Sequence, residues 1–81
     1  MRVPILMPKL GYDMTNGVIA SWLAEIGDQV ARGQLIAEIE TDKIVVEMEA
    51  LATGTLVEIV RDADASVVEV GEVIGYIDDE S

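Results

Sequence analysis

The chain has 81 residues, 16 acidic against five basic, for a formal net charge of −11, and it contains neither cysteine nor histidine. Negative charge spread along the whole length makes nucleic acid and anionic membranes unfavourable partners and keeps an isolated domain soluble and monomeric. The missing residue types exclude a disulfide framework, a Cys- or His-based metal site and a Ser-His-Asp triad, and the cysteine-free composition fits a cytoplasmic protein.

Eleven valines and nine isoleucines, with no phenylalanine and one tryptophan, favour half-buried pleated sheet over a helix bundle. The opening MRVPILMPKLG predicts a strand over 2–7; its apolar run is too short and too Pro-interrupted for a signal segment. From Gly17 the chain reads GVIASWLAEIGDQVARGQLIAEI, which predicts strands over 18–24, 28–30 and 35–41. Ile19, Trp22, Leu23 and Ile26 also fit a helical stripe. A fifth strand follows over 44–49, then three more over 55–60, 66–69 and 73–78 within GTLVEIVRDADASVVEVGEVIGYI.

These two long stretches are one pattern repeated. Gly17 falls on Gly54, Ile19 on Leu56, Trp22 on Ile59, Val30 on Val68, Gly33 on Gly71, Ile36 on Ile74 and Ile39 on Ile77. The spacing between the two glycines is 16 residues in the first copy and 17 in the second, so the second loop is one residue longer. The second copy is too rich in β-branched residues for a helix, and this decides the first copy as well. In both copies the first two strong apolar positions after the glycine lie three apart, which breaks period-two alternation and predicts a β-bulge at the same place in each. Two copies are too few for a solenoid. They predict an all-β flattened barrel or sandwich of two four-stranded antiparallel sheets related by a pseudo-two-fold axis.

Between the copies lies ETDKIVVEMEA, in which Asp42-Lys43 forms a two-residue connection between strands. Lys43, one of only two lysines, is therefore expected at a hairpin tip with its amine in water. An unperturbed amine with a pKa of about 10.4 is almost entirely protonated at neutral pH, and the neighbouring Glu38, Glu40, Asp42, Glu47 and Glu49 favour the cation. Lys43 is thus a poor nucleophile unaided. It is either a solvated surface lysine or a residue that another protein acylates. No catalytic residue is assigned, and Asp62 with Asp64 lacks the remaining ligands of a calcium loop.

The tetrapeptide Glu40-Thr41-Asp42-Lys43, with Met7-Pro8, Leu10-Gly11, Gly27-Asp28-x-Val30-x-x-Gly33, Gly54-x-Leu56-x-x-Ile59 and Val70-Gly71, resembles the lipoyl domains of 2-oxo acid dehydrogenase acyltransferases over nearly the whole chain. The resemblance implies a barrel-sandwich hybrid over residues 1–78, with Lys43 at one end and both termini at the other, and 79–81 as the start of a polar linker. It implies lipoic acid joined by an amide to Lys43, on a domain that is a carrier and not an enzyme by itself. The implied partners are a lipoate-protein ligase or lipoyl transferase, a thiamine-diphosphate-dependent decarboxylase, the acyltransferase core and dihydrolipoyl dehydrogenase. For recognition by the modifying enzyme it points to Asp42, then Glu40 and Ile44. For recognition by the decarboxylase it points to Tyr12 and Met14 in the loop 11–17. The chain departs from the family in RDADASVV, which lacks a glycine usual before its V-x-V-G segment.

Biotin carrier domains share the implied fold but usually flank their lysine with methionines. The carrier protein of glycine cleavage is longer, with a different lysine context. An unmodified barrel adaptor usually has no lysine at the tip.

Overall fold

The computed structural model of the chain describes residues 1–10, 14–42, 44–64 and 66–79. Among them are eight strands: β1 Arg2–Leu6, β2 Asn16–Trp22, β3 Gln29–Val30, β4 Leu35–Glu40, β5 Val45–Glu49, β6 Gly54–Ile59, β7 Val67–Glu69 and β8 Val73–Asp78. They form two antiparallel sheets in the orders β1-β8-β6-β3 and β5-β4-β2-β7, each with its own free edges, so the molecule is a sandwich and not a closed barrel. Its extents are 36 × 23 × 18 Å.

The duplication in the sequence is a dyad in the structure. β2, β3, β4 and β5 map in turn onto β6, β7, β8 and β1, so the first strand is the counterpart of the strand after the hairpin. Each half lends its short strand to the other half's sheet: β3 pairs with β6, and β7 with β2. The register slips recur at matching places, between Ile19 and Ser21 on β2 and between Leu56 and Glu58 on β6. These are the bulges that the three-residue spacing predicts, and one extra residue in each strand restores inward pointing further along.

Loop hydrogen bonds repeat as well. Gly33 N–H donates to the Ala50 carbonyl at 2.9 Å, and its counterpart Gly71 N–H to Met7 at 3.0 Å. Leu23 N–H donates to Ile36 at 2.8 Å, and Val60 N–H to Ile74 at 2.9 Å. Gly33 and Gly71 have φ of 91° and 90°, a left-handed conformation that glycine adopts without steric cost.

The core fills from both halves with matched residues: Ile19 with Leu56, Ile36 with Ile74, Ile39 with Ile77, and Val30 with Val68, all at most 2% exposed. Burying each such side chain contributes about 1.5–3 kcal/mol, and this apolar layer holds the sheets together. Leu23 and Ile26, half of the helical stripe, are instead exposed at 47% and 61%. Trp22 lies at the core's edge, where its indole N–H donates to the Arg61 carbonyl at 2.9 Å.

The dyad also sets the two ends of the molecule. Met7 accepts from Gly71, and Thr15 from Val70, both at 3.0 Å, so the finish of β1 and the start of β2 share one end with the finish of β4. At the other end the Asp79 N–H donates to the Met1 carbonyl at 2.7 Å, where β1 begins and β8 finishes. Residues 80–81 lie outside the described residues.

Candidate functional site: the β4–β5 hairpin

The β4–β5 ladder runs from Leu35 opposite Glu49 to Glu40 opposite Val45. Its inner face is anchored by Ala37, Ile39 and Met48, at 0%, 0% and 7% exposure, so the hairpin cannot rock without opening the core. Each strand stops one residue short of the sequence-based boundary. Beyond Glu40 and Val45 the chain is closed by Thr41 and Ile44: the Thr41 N–H donates to the Ile44 carbonyl at 2.8 Å.

The Thr41 hydroxyl adds a second clamp. It accepts from the Ile44 N–H at 3.1 Å and donates to the Ile44 carbonyl at 3.2 Å. A threonine entering a two-residue connection can satisfy the turn backbone with its own side chain, a signal present in the sequence and left unused there. Under the dyad this closure corresponds to the Asp79–Met1 bond. What is a continuous turn at one end is a pair of chain ends at the other.

Of the residues proposed from sequence, Asp42 and Glu40 are exposed, and Ile44 is 52% exposed. Lys43 lies outside the described residues, as does Tyr12. Met14 packs against the core edge, its sulfur 3.2 Å from the Leu10 N–H that it accepts, and its methyl group borders Gly17. The structure therefore brings Glu40, Asp42 and Ile44 together around the turn and places Met14 beside β2.

The hairpin's surroundings are acidic. Glu38 and Glu47 stand directly opposite each other on the outer face. The ion pairs among the described residues are Met1–Asp78, Arg2–Glu58 and Arg61–Glu72, none of which involves the hairpin. Among the described residues, Asp42 and Ile44 are exposed and no ion pair brings a cation to the hairpin, so these residues supply neither the desolvation nor the neighbouring charge that acid–base chemistry uses.

Comparison with known proteins agrees with this geometry. Residues 3–77 match the biotin–lipoyl family model, described as biotin-requiring enzyme. The chain is 48% identical over 75 residues to a dihydrolipoyllysine-residue acetyltransferase component of the Arabidopsis thaliana mitochondrial pyruvate dehydrogenase complex, covering 91% of this chain and 14% of that protein. It is 42% identical to the dihydrolipoyllysine-residue succinyltransferase component of the Bacillus subtilis 2-oxoglutarate dehydrogenase complex, covering 90% and 17%. The chain thus spans only about a sixth of the length of these relatives. The solution structure of the lipoyl domain of the Azotobacter vinelandii 2-oxoglutarate dehydrogenase complex superimposes with a TM-score of 0.76 at 34% identity, over 98% of this chain and 99% of that one. With two facing four-stranded sheets, a clamped hairpin and relatives of this kind, the chain belongs to the biotin–lipoyl family and is a lipoyl domain.

Proposed function

We propose that Lys43 carries lipoate in amide linkage and that the domain moves the attached group between the active sites of a 2-oxo acid dehydrogenase complex. The observation that carries this reading is the clamped hairpin. Thr41 and Ile44 close the turn through three hydrogen bonds on a ladder rooted in the core, so the two flanks of the turn form a rigid mount. The residues present fit the group, because acylation needs a primary amine with open space around it, and both neighbours of Lys43 are exposed.

When bound, lipoate supplies a dithiolane that accepts acyl groups and electrons. The chain's own residues do the rest. Lys43 contributes the amide nitrogen, Asp42 and Glu40 mark the site for the modifying enzyme, and the short β4–β5 turn fixes where the arm begins. Tethering converts encounters with a decarboxylase, an acyltransferase core and a dihydrolipoyl dehydrogenase into intramolecular ones, at effective concentrations that reach about the mM range for short flexible linkers. The domain is then a substrate of each enzyme and catalyses none of the steps.

A biotin carrier would use the same mount. Against it stand the relatives, which bear dihydrolipoyllysine names, and the flanking of Lys43 by Asp42 and Ile44 in place of methionines. The test is reductive acylation. The lipoylated 81-residue chain, mixed with purified pyruvate or 2-oxoglutarate decarboxylase components and the labelled oxo acid, is expected to acquire label far faster than free lipoamide at equal concentration. A lipoylated chain that gains no label from any 2-oxo acid decarboxylase contradicts the reading.

A further inference from the structure

The dyad makes a comparison available that a single sheet would not. On the outer face of the sheet carrying the hairpin, one row crosses all four strands: Val45 opposite Glu40, Glu40 opposite Val18, and Val18 opposite Val67. The dyad-related row on the other sheet is Arg2, Asp78, Thr55 and Gln29. The same backbone positions hold three valines at one end and no apolar residue at the other.

The polar row is also knit together, whereas the valine row is not. Gln29 donates to the Thr55 hydroxyl at 2.9 Å, Arg2 donates to Glu58 at 2.9 Å, and the Arg2 guanidinium lies 5.8 Å from the Tyr76 ring centre. The fold therefore accepts an ordinary solvated surface at these positions. At the hairpin end Val45 and Val67 are left 58% and 61% exposed, with no described element of the chain covering them. Acidic residues without ion-pair partners among the described residues surround them: Glu40 within the row, Glu38 and Glu47 on one side, and Glu69 on the other.

We propose that this valine row and its acidic rim are the docking face for the enzyme that acylates Lys43, through an apolar strip on that enzyme bordered by lysine or arginine. The inference rests on the carrier reading and adds the contact surface to it. The choice of enzyme follows from reach. An enzyme that uses the dithiolane can stand off by the length of the whole arm, but one that forms the amide must bring the lysine nitrogen itself to its active site. The row Glu40–Val45 lies one residue, about 3.4 Å, below the pair that closes the turn, so it falls inside the footprint of such an enzyme. The choice of chemistry follows from charge. Covering these carboxylates without opposite charges nearby would leave them desolvated and unpaired, so the partner must bring cations. A second copy of the chain, with 16 acidic residues against five basic, is a poor source of them.

The test is the steady-state lipoylation of the unmodified chain by purified lipoate ligase with ATP and lipoate. Val18→Thr with Val67→Gln copies the residues that the dyad mate already tolerates, and both are surface changes whose folding is checked by melting temperature. The expected result is a KM for the domain raised roughly tenfold, as for loss of residues central to an interface, with kcat retained. Glu40→Gln with Glu69→Gln is a second variant that keeps the valines; it should raise KM and weaken its dependence on ionic strength. Gln29→Ala, on the dyad-related row, should leave KM unchanged. An unaltered KM in both hairpin-end variants, or an equal rise in Gln29→Ala, overturns the docking face. An unvaried chain that the ligase does not modify at all overturns the carrier reading instead.

Discussion

The two ends of this sandwich are built from the same strands in the same register, and they differ in what they expose. At the end bearing the chain termini, the outer face is polar and tied by Arg2, Tyr76, Glu58, Thr55 and Gln29. At the hairpin end it is valine and carboxylates without ion-pair partners among the described residues, with Glu38 directly opposite Glu47. Like charges directly opposite each other on a sheet are unfavourable, and exposed valines gain little from burial. Stability alone therefore explains one end and not the other. A duplicated fold carries its own control: where dyad mates agree, the backbone dictates the residue, and where they disagree, something outside the fold does.

Glycines sharpen the comparison most strongly. A Cβ on Gly54 would run into the Asp78 carbonyl, while one on its mate Gly17 would meet the Met14 methyl at 3.0 Å and the Glu40 carbonyl at 3.3 Å. A backbone obstacle cannot move, but the end of a methionine can. We expect Gly54→Ala to destabilise the domain by about 3 kcal/mol and Gly17→Ala by about 1 kcal/mol, measured by chemical denaturation. Equal costs would show that the two glycines tolerate an added Cβ alike, whatever lies against them.

Glu47→Lys places a cation opposite Glu38. It is expected to raise stability by about 0.2–1 kcal/mol while raising the KM for lipoate ligase. A variant that gained stability without losing recognition would show that the carboxylate pair serves neither purpose.

The smallest effect concerns the longer loop of the second copy. The Ser66 hydroxyl and then its N–H, 3.1 Å from the carboxylate, hold Asp64 below its usual pKa. A group whose folded pKa is lowered adds stability above its unfolded value and loses it as pH falls through the folded one. Asp64→Asn should slightly lower stability at neutral pH, leave it nearly unchanged below the folded pKa, and so flatten the acid side of the stability profile.

Much of this was legible in the sequence. Eight strands, the paired bulges and the hairpin around Asp42-Lys43 follow from glycine spacing and apolar periodicity, because both record which side chains must point inward. Three features do not follow. The exchange of β3 and β7 between halves is invisible because periodicity says which face a residue takes and nothing about which strand it pairs with. The equivalence of β1 and β5 is hidden because β1 precedes the copy to which it belongs. The valine row is scattered over positions 18, 45 and 67, and an isolated valine in a strand is ordinary β propensity until the register places three of them in line with Glu40.

The central claim is that one lysine, Lys43, is the attachment point. Peptide mapping by tandem mass spectrometry of the chain after treatment with lipoate ligase tests it most directly, with Lys43→Gln in parallel. The account predicts a single lipoyl group on Lys43, and an unmodified Lys43→Gln variant whose stability is within about ±0.5 kcal/mol of the parent, as for other surface substitutions. Modification on Lys9, or continued modification of the variant, would contradict it.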